Sequence, residues 1–183
     1  GGINANIKRS ILAKIQVPFF FIFELAYTFN TIIREKPTIV HAHWILPQGL
    51  VAALLKKYFK FKLVVTAHAG DVFILKNKLL RILAAYVIKN SDAVTANSKY
   101  TAAKVNQVLS SKVSIIPMGV DTTRFSKPPK GELAFHNKPF PQILFVGRLA
   151  EKKGVNYLLE SMPAILTKYP NAQLTIIGNG PEA

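Results

Sequence analysis

Cysteine is absent from the 183 residues. That excludes a disulfide scaffold, a thiolate nucleophile and any cysteine metal site, and it fits a reducing compartment. Acidic side chains are scarce: nine stand against 24 lysines and arginines, a net charge of +15. Most of the excess lies in residues 1–140, with 20 basic and six acidic side chains. A field this positive draws the chain toward phosphates, anionic lipid or nucleic acid, and composition alone does not choose among them. No internal repeat, low-complexity tract or signal peptide is found. A long unbroken apolar run is also lacking. Residues 11–33 are apolar but interrupted by Lys14, Gln16, Pro18, Glu24 and Asn30. The most continuous part, Pro18 to Phe23, falls short of the roughly 20 residues a bilayer span needs, so a buried or interfacial helix is expected.

What is present supports a folded α/β protein. Half the residues are hydrophobic and 18% are charged, enough for a sizeable core and unlike a disordered chain. The length suits one ordinary domain or parts of two. The chain opens on Gly1-Gly2-Ile3 without methionine and stops at Ala183 just after a strand and a glycine turn, the expected look of a piece of a longer protein.

Apolar periodicity predicts a helix over 10–34, broken or started at Pro18 and ended by Pro37, and then a short β-branched strand at 38–42. A helix at 48–60, a strand at 63–66, a loop at 67–71 and a helix at 78–89 follow. Next come a strand at 93–96, an Asn97-Ser98 cap before a helix at 100–109, and a strand at 113–116 closed by Pro117. This alternation is the signature of a parallel sheet with crossover helices. Between 121 and 141 the chain crowds Pro128, Pro129, Gly131, Pro139 and Pro141, which reads as an interdomain linker centred on 126–141. Beyond it, a strand at 142–147, a helix at 155–169 and a strand at 173–177 make one βαβ unit of a new domain. The expected domains are thus 1–125, a linker at 126–141, and 142–183.

Two loops carry residues able to do chemistry. In Val146-Gly147-Arg148-Leu149-Ala150-Glu151-Lys152-Lys153-Gly154, a strand runs into a loop that places Arg148 and Lys153 beside free backbone N–H groups, a layout suited to a diphosphate. Gly147 and Gly154 bracket the loop and permit close backbone approach, while Lys152 reads as a solvated charge. In Thr66-Ala67-His68-Ala69-Gly70-Asp71, just past a strand's carboxyl end, His68 offers a hydrogen bond or a proton and Gly70 lets a substrate near the backbone. The same loop also reads as a plain helix start, with Gly70 for the turn and Asp71 as N-cap; the pattern leaves both open. In His41-Ala42-His43-Trp44, the alternate histidines are expected to face opposite ways, a poor metal pair, and to be structural or a cleft wall. His136 has no assigned role. Gly178-Asn179-Gly180-Pro181-Glu182 is a second post-strand turn that either lines a cleft or only turns the chain.

Taken together, these segments resemble the retaining glycosyltransferases of the family 4 class, which have the GT-B fold. The matching stretches are Val40 to Trp44, Val64 to Asp71, Asp92 to Ser98, Ile115 to Phe125 with its Pro117-Met118-Gly119-Val120-Asp121, Val146 to Leu149 with Lys153-Gly154, and Ile176 to Pro181. Their order and spacing are more specific than any one of them. The resemblance implies a partial Rossmann-like N-terminal domain with a parallel sheet, followed by the first βαβ unit of a second Rossmann-like domain, with the active site in the cleft between. It implies sugar transfer from a nucleotide-sugar donor to an acceptor hydroxyl with retention, in cell-surface polysaccharide or glycolipid synthesis, with no metal and no cofactor beyond the donor as substrate. Arg148 and Lys153 would hold the donor diphosphate. His68 would contact the transferred sugar without serving as general base, and Gly70, Asp71, Gly147 and Gly178 would line the cleft.

Two departures accompany the resemblance. The family's first strand with its glycine-rich loop is not matched by Gly1-Gly2, and its downstream glutamate motif is absent, so the piece alone is expected to be inactive. Expected partners are the donor and a glycan or lipid-linked acceptor. The order Lys8, Arg9, Lys14, then Phe19, Phe20, Phe21 and Phe23 also suits an anionic membrane surface. A core helix with a basic flank is the plainer account, and the expected place is cytoplasmic, with a peripheral position at the inner membrane face as its variant. Nucleic acid is not expected, since no helix-turn-helix, zinc finger or RNA-binding aromatic motif accompanies the charge. Another GT-B enzyme, an epimerase or a phosphorylase, is the alternative within the fold.

Overall fold

The computed structural model describes residues 11–126 and 140–183. The expected linker at 126–141, with His136, lies almost wholly outside the described residues, as do Gly1, Gly2, Lys8 and Arg9. The described residues fall into two compact units, Ile11–Val120 and those from Asp121 onward.

The first unit runs α1 (Ile11–Glu35), β1 (Ile39–His43), an irregular turn (Ile45–Gly49), α2 (Leu50–Leu55), β2 (Lys62–Ala67), α3 (Ala69–Phe73), α4 (Lys78–Asn90), β3 (Ala93–Ala96), α5 (Lys99–Asn106) and β4 (Val113–Ile115). All four strands are parallel, in the order β1-β2-β3-β4. On β2, Leu63, Val65 and Ala67 are completely buried. With Ala42, Val94 and Ala96 they join one core that includes Val51, Ala53, Ala84, Val87 and Ile88 from α2 and α4. Burying a Leu or Val side chain of this kind stabilises the fold by about 2 kcal/mol. The irregular turn packs closely against α4 at a glycine. At Gly49 an added Cβ would stand 2.9 Å from Val87 Cγ1 and 3.1 Å from the Trp44 carbonyl.

Capping follows the sequence in part. Ser98 caps α5, its Oγ accepting from the Thr101 amide at 3.1 Å, whereas Asn97 accepts from the Thr101 hydroxyl. Asn77 caps α4 in the same way through the Leu80 amide.

Three expectations are corrected here. α1 passes through Pro18 without a break. The segment read as the loop 67–71 contains the short helix α3, with His68 at its N-cap and Asp71 inside its first turn. The helix expected over 48–60 ends as α2 at Leu55 and gives way to turns. α1 is also longer than its most continuous apolar part suggested. By length and composition alone, Ile15–Glu35 is long and apolar enough to cross a bilayer, a criterion that core helices also meet. Among the described side chains of α1, only Ile32 is buried, with Phe21 and Leu25 packed against the core, while Leu12, Ile15, Phe19, Phe20, Ile22 and Phe23 are exposed. The core-helix reading therefore holds for one stripe of this helix.

The second unit contains β5 (Gln142–Val146), a 3-10 turn (Glu151–Lys153), α6 (Val155–Lys168) and β6 (Gln173–Ile177). β5 and β6 pair in parallel from Gln142↔Gln173 to Val146↔Ile177, forming the expected βαβ unit.

Candidate active site

In the first unit, the chemistry gathers at the carboxyl ends of β1 and β2. His43 lies opposite Thr66 in the register. Residues i and i+2 of a strand project from the same face, so His41 and His43 are neighbours and do not point apart as expected. Their ring centroids are 4.4 Å apart. His43 Nδ1 lies 2.9 Å from His68 Nε2, and the two ring centroids are 5.2 Å apart. His41 Nε2 is 2.7 Å from Thr66 Oγ1, which is 2.6 Å from Thr95 Oγ1. A polar row thus crosses the sheet from β3 to β1, with His68 continuing it beyond β2. Burial holds the His41 imidazole below its ordinary value of 6.5, and the neighbouring His43 and His68 lower it further. Among the described residues, no group of three or more His, Cys, Asp or Glu side chains is arranged to hold a metal ion.

The loops carrying His43 and His68 are fastened together from behind. After β1, Trp44 takes a left-handed backbone conformation (φ 85°), unusual for a residue with a side chain. This turns the chain so that the Ile45 amide donates to Asp71 Oδ2 at 2.8 Å. Asp71 is completely buried. Its removal from water raises the carboxyl above 3.8, opposed in part by the amide bonds it accepts and by His68. Asp71 therefore stands beneath the histidine loop and joins the turn after β1 to the helix after β2. Gly70 lies at the surface, and an added Cβ there would meet nothing within 4 Å, so the space above α3 is open. The sequence singled out His68 and Asp71 but missed that His41 and His43 belong with them. The same-face rule for i and i+2 was the available signal.

In the second unit, Arg148, Lys152 and Lys153 are exposed on the segment after β5. No described residue pairs with Arg148 or Lys153 by a hydrogen bond or salt bridge. Gly154 has φ 67°, a left-handed conformation that glycine adopts without strain, and it stands at the N-cap of α6. The post-strand turn after β6 runs directly against this loop. The Gly147 amide donates to the Ile177 carbonyl and the Leu149 amide to the Asn179 carbonyl, both at 3.0 Å. A Cβ on Gly178 would sit 1.8 Å from the Gly147 carbonyl oxygen, and one on Gly180 would sit 1.9 Å from that of Leu149. Those glycines permit a backbone contact that no side chain would allow. Gly178 therefore braces the loop that carries Arg148. Two concavities, about 300 and 400 Å³, lie near Pro37 and Phe61 and near Lys56 and Asp92, toward the amino ends of the strands and away from the histidines.

Comparison with known proteins supplies the family. The model of Glycosyltransferase Family 4 matches residues 6–124, and that of Glycosyl transferases group 1 matches residues 132–183. An uncharacterized glycosyltransferase of Methanocaldococcus jannaschii is 30% identical over 152 residues, covering 82% of this chain and 39% of that protein. A phosphatidylinositol N-acetylglucosaminyltransferase subunit from Homo sapiens is 31% identical over 159 residues, covering 82% of this chain and 31% of its own length. A GDP-mannose-dependent alpha-(1-6)-phosphatidylinositol monomannoside mannosyltransferase of Mycolicibacterium smegmatis is 24% identical over 141 residues, covering 74% and 37%. The chain thus spans less than half the length of these relatives. With its parallel α/β units in GT-B style and a family model matched over more than half its residues, the chain belongs to glycosyltransferase family 4.

Proposed function

We propose that the protein transfers a sugar from a nucleotide-sugar donor to an acceptor hydroxyl, with retention of anomeric configuration. Arg148 and Lys153 hold the donor diphosphate and offset the charge that collects on it as the glycosidic bond breaks. His68 contacts the transferred sugar. The observation that carries this reading is the pair of cations, unpartnered among the described residues, on the loop after β5, braced by Gly178 at the carboxyl ends of two parallel strands, where ligands of open α/β sheets bind. Uncompensated charge at such a place suits an anionic ligand, and Arg offers a planar donor fork for phosphate oxygens. A screen of nucleotide sugars with the full-length protein identifies the donor. Arg148→Ala and His68→Ala then test the roles. Loss of charge stabilisation at Arg148 is expected to slow transfer on the order of a hundredfold. Normal turnover by both variants would overturn the assignment.

A lipid-linked or glycan acceptor at the inner face of a membrane is the companion reading. It is favoured by the exposed aromatic and aliphatic surface of α1 and the net charge of +15. Two of the relatives act, by their names, on phosphatidylinositol or its monomannoside.

A further inference from the structure

We propose that Trp44 is a sugar-binding residue: its indole takes one face of a six-membered sugar ring at the carboxyl ends of β1 and β2, beside His43 and His68. Trp44 follows β1 directly, and its amide donates to the Thr66 carbonyl at 2.9 Å, which extends the pairing with β2. In a strand continued past His43, residue 44 would share the face of the buried Ala42. The backbone instead turns to φ 85° and ψ 134°, a conformation that glycine adopts freely and a side chain opposes. Hydrogen bonds on both sides hold the turn. Beyond the bond to Thr66, the Gly49 amide donates to the Trp44 carbonyl at 3.0 Å, and buried Asp71 accepts from the next amide, that of Ile45, at 2.8 Å.

A glycine would suit this backbone better, yet the position carries the bulkiest of side chains, and the core does not use it. Trp44 is 36% exposed and stands outside both the buried cluster and the partly buried side chains packed on it. Among the described residues, its Nε1–H donates to nothing and no ring or cation contacts the indole. A strained residue that serves no packing points to a ligand. The face of an aromatic ring is negative. The C–H bonds on one face of a pyranose are slightly positive, because each carbon bears an oxygen, and its hydroxyls project around the rim. His43 is the adjoining residue, with His68 at 2.9 Å from it, and a hydroxyl pairs with a ring nitrogen that donates or one that accepts. An acyl chain would leave those imidazoles without partners. The inference rests on the proposed sugar transfer, and the ring is that of the transferred sugar or of the acceptor.

Trp44 is the only tryptophan of the 183 residues, so its emission reports its surroundings. In the full-length protein, Trp44→Phe identifies its share of the signal. Acrylamide quenching of that emission is measured with methyl pyranosides of the gluco, manno, galacto and N-acetylglucosamine forms and with myo-inositol. Nucleotide sugars are then compared with their nucleoside diphosphates. Quenching is expected to fall severalfold with one of the free rings, which puts the acceptor on Trp44, or with a nucleotide sugar and not its diphosphate, which puts the transferred sugar there. Equal protection by the diphosphate alone overturns the proposal, and so does the absence of protection by any ring. Calorimetric affinity for the protecting ring should weaken about tenfold in Trp44→Leu and stay near wild type in Trp44→Phe, as the loss of one aromatic contact predicts. Both variants keep a Cβ on the left-handed backbone, so neither relieves the strain. Undiminished affinity in Trp44→Leu also overturns the proposal, and the wild-type quenching decides if that variant does not fold. In transfer assays, Trp44→Leu should raise KM for the substrate whose ring protects, with kcat nearly unchanged. The titrations involve no turnover. Their failure leaves the diphosphate contacts of Arg148 and Lys153 standing, and normal turnover by Arg148→Ala and His68→Ala leaves the ring contact standing.

Discussion

Asp71 and Asp92 share one unit, yet their surroundings give their contributions to stability opposite signs. Asp92 accepts from Lys56 Nζ at 2.5 Å, from the Leu63 amide at 2.7 Å and from Lys62 Nζ at 3.3 Å. The Lys56 hydrogen bond first, then the amide, holds its pKa at about 2, below the ordinary 3.8. The unfolded chain then binds more protons than the folded one, so this stabilisation is present above pH 3.8 and is lost as pH falls toward about 2. Asp71 is pushed the other way by burial. The folded state keeps its proton where the unfolded state has lost it, so stability falls as pH rises through the window just above 3.8. Urea midpoints measured across acidic pH should show the two slopes. Asp92→Asn removes the loss toward pH 2 and lowers stability at neutral pH by about 1–2 kcal/mol. Asp71→Asn keeps an oxygen for the Ile45 amide and flattens the fall above 3.8. Equal pH profiles for both variants and wild type would contradict these assignments.

At the scale of elements, the glycines divide into those the packing demands and those it does not. Gly178 is demanded, since its Cβ would lie 1.8 Å from the Gly147 carbonyl oxygen and would force β5 and β6 apart beyond their last pairing. Gly178→Ala is expected to cost about 2–3 kcal/mol in chemical denaturation, the range for overpacked sites, and to weaken donor binding through the displaced Arg148 loop. Gly70→Ala meets nothing within 4 Å and should stay within about 0.5 kcal/mol of wild type. The elements themselves were largely legible. Short β-branched runs bounded by Pro, Gly or Asn marked the strands, and β6 at Gln173–Ile177 coincides with its reading. What was not legible has physical causes. A five-residue helix such as α3 is too short for a 3.6-residue period to show. Pro18 carries a general penalty against helix interiors, yet 17 residues of α1 follow it, and one missing amide does not stop them. The candidate residues of each unit were half legible: His68 in the first, and Arg148 and Lys153 in the second, stand out by their place after strands. His43 became visible only when register put β1 beside β2, and the Asp71 bond to Ile45 joins residues 26 apart.

At the scale of the whole molecule, the positive charge and the uncovered side of α1 call for a test of their own. Flotation with anionic vesicles should carry the protein upward at low salt, and replacing Phe19, Phe20 and Phe23 by Ser should reduce the floated fraction severalfold. Neutral vesicles and high salt should each weaken the effect, because an electrostatic share of binding is screened. Absence of flotation at every salt concentration would rule out the membrane surface as a partner.

The family assignment and the loop after β5 meet in one claim, that Arg148 and Lys153 receive a pyrophosphate. Calorimetric titration with a panel of nucleoside diphosphates tests it most directly. Binding is expected to weaken with salt, to fall at least about tenfold in Arg148→Ala and in Lys153→Ala, and to fall further in the double variant, in keeping with charge-assisted hydrogen bonds. Affinity equal to wild type in all three variants would contradict it.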